Sequence, residues 1–161
     1  MRHSMKIFLT LIFALSALGL SGQQAPNDIL EVEFFSSQNS AVAGETFEIA
    51  LVVDIQRPWH VYAPMGNDDF TIPIAPSISE EGQSFRVGEW IYPSPQRISV
   101  AGVEEPASVY GDRIVLRSTL SVLAGSQGTL TAKGEVYFQA CDDAQCLIPA
   151  SVEFNFTLPV V

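Results

Sequence analysis

The sequence is poor in cysteine, histidine and positive charge: two cysteines, two histidines and eight lysines and arginines stand against eighteen acidic residues among 161. The formal net charge is −10. A surface of that sign repels phosphate backbones and anionic headgroups, so nucleic acid and anionic membranes are poor partners. Two cysteines and one histidine beyond the leader, His60, fall short of a closed zinc site, and no metal is expected. No nucleophile elbow, phosphate-cradling glycine loop or catalytic carboxylate pair is found. That leaves hydrolase and nucleotide-binding classes without support and gives no cofactor to expect. A helical hydrophobic period is also missing after the first twenty residues, as is any later apolar run of membrane-spanning length.

What is present begins with a leader. Arg2, His3 and Lys6 precede an apolar run over residues 7–20, followed by Ser21 and Gly22. This is the charged, apolar, small order of a secretory signal, and the run is short for a membrane span. Residues 1–22 are therefore expected to be removed, leaving one domain over residues 23–161 with room for a sizeable core. No cysteine stands at the cleavage point to carry a lipid anchor. Export would put the remaining thiols in an oxidising compartment.

The mature part reads as strands. Glu31 and Glu33 alternate with apolar neighbours over residues 29–35. Phe47, Ile49, Leu51, Val53 and Ile55 then occupy every second position, the period of a half-buried strand. Trp59-His60-Val61-Tyr62 lies between Pro58 and Pro64, which suits an edge or a strand start. Residues 65–78 read as a loop with short extended pieces, residues 85–92 as a strand and residues 93–107 as a long surface loop. Ile114, Leu116, Leu120 and Val122 share one face, broken only by Ser118. Leu130, Ala132, Val136 and Phe138 form the inward set of a strand over residues 129–140 that delivers Cys141. Val152, Phe154, Phe156 and Leu158 alternate with polar residues in a closing strand. Seven or more short strands, with turns about every ten residues, predict an all-β, immunoglobulin-like β-sandwich.

Cys141 and Cys146 are the only cysteines, with four residues between them. If the chain folds back, a disulfide can form. Closing a six-residue loop stabilises by only about 2 kcal/mol in the chain-entropy model, against roughly 4–5 kcal/mol for a loop near a hundred residues. So short a bridge is a weak staple, which favours a redox role, although a local structural bridge in a secreted protein stays open. Asp142 and Asp143 disfavour a neighbouring thiolate, and this suits either a guarded relay or an inert bridge. His60 and Tyr62 share a strand face, and a histidine near thiols could accept or relay a proton. A packed or solvated strand position is the plainer alternative for that ring.

Phe138-Gln139-Ala140-Cys141, four residues, then Cys146-Leu147-Ile148-Pro149 resembles the cysteine signature of the N-terminal periplasmic domain family of the thiol:disulfide interchange protein DsbD. Val109-Tyr110-Gly111-Asp112-Arg113-Ile114 and Trp59-His60-Val61-Tyr62 extend the likeness across most of the mature chain. The resemblance implies an immunoglobulin-like sandwich in the periplasm, with Cys141 and Cys146 as the redox pair. It implies a membrane-embedded thiol reductase as electron donor and periplasmic thioredoxin-like proteins as clients, the donor being a separate protein here. Cys146 would form mixed disulfides, with Cys141 resolving them. His60 and Tyr62 fall where family aromatics flank the pair, and the segment 97–107 corresponds to a cap over the disulfide. Val103 stands where the family cap carries an aromatic ring, so shielding would be weaker or supplied from elsewhere, for example by Phe70. The spacing of four replaces five in some members.

Overall fold

The computed structural model describes residues 25–65, 71–80, 84–99 and 105–161. The leader, Phe70 and Val103 lie outside these. Among the described residues the chain runs through a 3-10 turn (Pro26–Asp28) and then eleven strands: β1 (Leu30–Ser36), β2 (Thr46–Ile55), β3 (His60–Tyr62), β4 (Ala75–Ile78), β5 (Phe85–Val87), β6 (Gln96–Ile98), β7 (Ala107–Tyr110), β8 (Asp112–Val122), β9 (Gly128–Phe138), β10 (Ala140–Cys141) and β11 (Ala150–Val160).

Strict alternation makes the central strands. In β2, Phe47, Ile49, Leu51, Val53 and Ile55 are all buried, and β2 pairs with β8 from Thr46↔Ser121 to Ile55↔Asp112. A sheet of order β1-β2-β8-β5 results, and it packs against a second of order β11-β9-β4. Leu130, Ala132, Val136 and Phe138 of β9 and Phe154, Phe156 and Leu158 of β11 supply the other half of the core. Phe34 of β1 stacks on Phe156 with ring centroids 4.0 Å apart, closing one side of the immunoglobulin-like sandwich. Ser118 interrupts the apolar face of β8 without penalty because its buried hydroxyl donates to the Gly88 carbonyl at 2.9 Å.

A third sheet, of order β10-β3-β7-β6, is built from strands that leave the other two. β3 continues β2 after residues 56–59, and β7 runs into β8 at Gly111, where Asp112 takes a φ of 58°. The turn is held by ion pairs that Arg57 makes with Asp112 and Arg113 with Asp54. β9 ends at Phe138, and β10 joins β3 in the third sheet.

Here the structure departs from the strand expected over 129–140. Its single period hides a change of sheet at Gln139. The expected strand over 85–92 shortens to β5, with Ile91 kept as an isolated bridge to Arg117. The expected loop over 93–107 contains β6 and the start of β7, which pair with each other (Gln96↔Val109, Ile98↔Ala107) and are too short to show a period. β4 carries Pro76, tolerated because β4 is an edge strand.

β9 and β4 approach closely at Gly134. A Cβ there would sit 2.7 Å from the Ser77 carbonyl oxygen and collide with the Phe154 ring. Gly134→Ala is expected to lower the unfolding free energy by about 1–3 kcal/mol, read as a lower urea midpoint at unchanged slope. An unchanged midpoint would show that the strands separate freely at this point.

Candidate thiol-disulfide site

The site is a hairpin on the rim of the third sheet. Once β9 has ended, the Gln139 side-chain amide donates to the Leu147 carbonyl at 2.9 Å, and the Leu147 N–H donates to the Ala140 carbonyl at 2.9 Å. The turn itself is set by Asp142. Its Oδ1 accepts the N–H groups of Ala144 and Gln145, both at 2.8 Å, and its own N–H donates to the Gln145 carbonyl at 2.9 Å. An aspartate that bonds the backbone two and three residues ahead holds a tight reversal. Cys141 and Cys146 then face each other as an antiparallel bridge with Cα atoms 4.0 Å apart, joined by a disulfide.

The two halves of the bond differ in access. Cys141 is 2% exposed, whereas Cys146 is exposed on the outer arm. Ile148, two residues further along that arm, is 76% exposed. Leu147, between them, turns inward onto the core.

β10 pairs with β3 in the register Ala140↔Val61 and Cys141↔His60. Directly opposed residues of an antiparallel pair share a face. Ala140 and Val61 point into the sandwich core, so Cys141 and His60 lie together on the opposite face. Tyr62 follows His60 on that face, half-buried, its ring edge-on to the imidazole with centroids 6.3 Å apart. The structure thus brings Cys141, Cys146, His60 and Tyr62 to one place. Phe138 is fully buried in the sandwich core, three residues before Cys141.

His60 is nearly buried, and its pKa is lowered from the ordinary 6.5, first by burial, against the opposing pull of Asp143 and then Asp142. The Asp142 carboxyl is held below its ordinary 3.8, first by the Ala144 and Gln145 N–H groups, with His60 a smaller contributor. Near neutral pH the site therefore holds an uncharged imidazole beside ionised carboxylate. Two supports went unseen in the sequence. The Gln139 clamp stands inside the cysteine signature, where an amide next to a strand end was the available signal. Asp142 in the sequence is a charge beside the thiols, although its place two residues before a small residue also fits a turn cap.

An all-β sandwich that presents a short disulfide on a rim hairpin, one cysteine exposed and the other buried, suits thiol-disulfide interchange. The family described as "Thiol:disulfide interchange protein DsbD, N-terminal" matches residues 27–158, and the chain belongs to it. Among solved structures, the DsbD N-terminal domain of Neisseria meningitidis, crystallised in the reduced form, is similar with a TM-score of 0.52 at 12% identity, covering 83% of this chain and 92% of that one. The N-terminal periplasmic domain of ScsB from Proteus mirabilis is similar with a TM-score of 0.54 at 17% identity, over 84% of this chain. This chain spans about half of that ScsB chain, 49%. No curated protein sequence matches. Among the described residues no helix is long and apolar enough to cross a membrane.

Burial of a neutral His60 has a pH signature. As pH falls below about 6.5 the unfolded chain takes up the proton first, so stability present above that value is lost on the way down to the lower folded pKa. The Asp142 contribution is lost only at lower pH, below its ordinary 3.8. The melting temperature of the oxidised protein is expected to fall between about pH 7 and pH 5, and to fall less in His60→Gln. Equal slopes in the two proteins would show that the ring titrates alike folded and unfolded.

Proposed function

We propose that this domain is an exported thiol-disulfide relay in which the Cys141–Cys146 bond opens and closes during each working cycle. Residues 1–22 direct export and residues 23–161 work in the periplasm. A membrane-embedded thiol reductase supplies electrons, and thioredoxin-like proteins or other disulfide clients receive them. The observation that carries this reading is the unequal exposure of the two cysteines within a six-residue loop, Cys146 exposed and Cys141 buried. An attacking thiolate needs one reachable sulfur and a leaving sulfur that stays with the protein.

The donor thiolate attacks Cys146 Sγ. The Cys141–Cys146 bond breaks, and its electron pair leaves on Cys141 Sγ. A second donor thiolate then attacks the donor sulfur of the mixed disulfide and frees Cys146, which completes reduction to the dithiol. Toward a client the order is reversed: Cys146 thiolate attacks the client disulfide, then Cys141 attacks Cys146 Sγ, and the client departs as a dithiol. Asp142 and Asp143 keep free thiolate low, so the dithiol is expected to react with docked partners in preference to stray disulfides.

An immunoglobulin-like binding module with an inert bridge is the competing reading, and the buried sulfur of Cys141 is what favours it. Trapping separates the two. Cys141→Ser is expected to accumulate mixed disulfides through Cys146, at least about tenfold more than Cys146→Ser. The double Cys→Ser variant should lose all electron transfer. An inert bridge predicts no adducts from either single variant and full function in the double variant.

A further inference from the structure

We propose that His60 is the proton acceptor that activates Cys141 for resolving the mixed disulfide on Cys146. This deepens the relay reading and rests on it. Cys141 is the buried member of the pair, shut away from solvent base, yet it must lose its proton before it can attack. Among the described residues, the basic side chain that the fold sets opposite it is His60, its direct partner in the β10–β3 ladder and on the same face. At that pairing the Cβ atoms of opposed residues are roughly 4.5–5.5 Å apart, which puts ring and sulfur within each other's reach.

The surrounding groups suit a base. Among the described residues, the charged or titratable groups around the imidazole are Cys141 on β10, Tyr62 on its own strand, and Asp142 and Asp143 in the hairpin turn. Burial keeps the ring neutral at neutral pH, and a neutral imidazole carries one acceptor nitrogen. Once it takes the proton, the two carboxylates that oppose a thiolate favour the imidazolium. The same charges thus lower the cost of the transfer at the moment it occurs.

The step balances. Cys141 Sγ–H gives its proton to His60, and the thiolate attacks Cys146 Sγ. The Cys146–client S–S bond breaks and its electron pair leaves on the client sulfur. The domain ends oxidised and the client reduced. In the opposite direction the imidazolium returns the proton to Cys141 as that sulfur leaves.

The test uses the reduced domain mixed with one equivalent of 5,5′-dithiobis(2-nitrobenzoate) in a stopped-flow instrument. Thionitrobenzoate leaves twice: first as Cys146 attacks the reagent, then as Cys141 resolves the adduct. In His60→Gln the second phase is expected to slow at least about tenfold, the lower end of general-base effects being near a hundredfold, with the first phase little changed. Added imidazole should partly restore it in His60→Ala. In the unsubstituted protein the second-phase rate should fall as pH drops through the histidine range below about 6.5, whereas the variant should follow only the thiol, at alkaline pH. A second phase equal in both proteins, or one that is flat in the unsubstituted protein between about pH 5 and 7.5, would overturn the role of His60 and leave the relay standing. The second of these measurements decides even if the variants fail to fold. A bond that strong reductant cannot open, with no thionitrobenzoate released, would overturn the relay and the base together.

Discussion

The structure depends on one constraint: the strand that fills the core as β9 must leave its sheet at Gln139 and dock on β3 as β10. The β9 side of that junction is anchored by Phe138, which is fully buried. The β10 side is fixed by the Ala140↔Val61 pair and by the Gln139 amide on the Leu147 carbonyl. Because side chains alternate, seating Ala140 inward forces Cys141 outward. The redox candidate thus sits in a paired strand, yet on the face turned away from the sandwich core. A one-residue slip would drive the sulfur into the core and His60 away from it.

From that placement the chemistry divides between the two sulfurs. The hairpin turn is short because Asp142 satisfies two backbone N–H groups, and shortness keeps Cys146 on the exposed arm while Cys141 stays beneath. Local charge pulls in two directions. Asp142 and Asp143 discourage a thiolate and encourage a protonated imidazole, and burial of His60 sets the resting state as neutral. On the relay proposal, such a site would resist chance disulfides and pass a proton once a mixed disulfide has formed. The weak stabilisation from a six-residue loop fits this division, since a bond meant to open should not carry the fold. The core of two full sheets does that instead.

Much of this was readable in the residues. The inward set of β2, the alternation of β9 and β11, the sandwich class and the cysteine signature all follow from strong periods or from a specific spacing. Strand alternation puts His60 and Tyr62 on one face, and their edge-on ring contact is on that face. The rest was illegible for stated reasons. The change of sheet at Gln139 does not interrupt the apolar period, because an outward-facing position in one sheet and a crossing point between two look alike in sequence. β6, β7 and β10 have four residues or fewer and owe their existence to partners, not propensity. Opposition of His60 and Cys141, eighty-one positions apart, is a matter of register between β3 and β10 that no local pattern encodes.

The central claim, that the Cys141–Cys146 pair exchanges electrons in the working cycle, is tested most directly by equilibrating the domain in glutathione and dithiothreitol buffers of graded potential and counting alkylated thiols by mass. A redox-active pair should titrate reversibly as a two-electron couple with a midpoint above roughly −300 mV, within reach of thioredoxin-like partners. A midpoint well below that value, with both sulfurs still joined in every buffer, would contradict it and leave only a structural bridge.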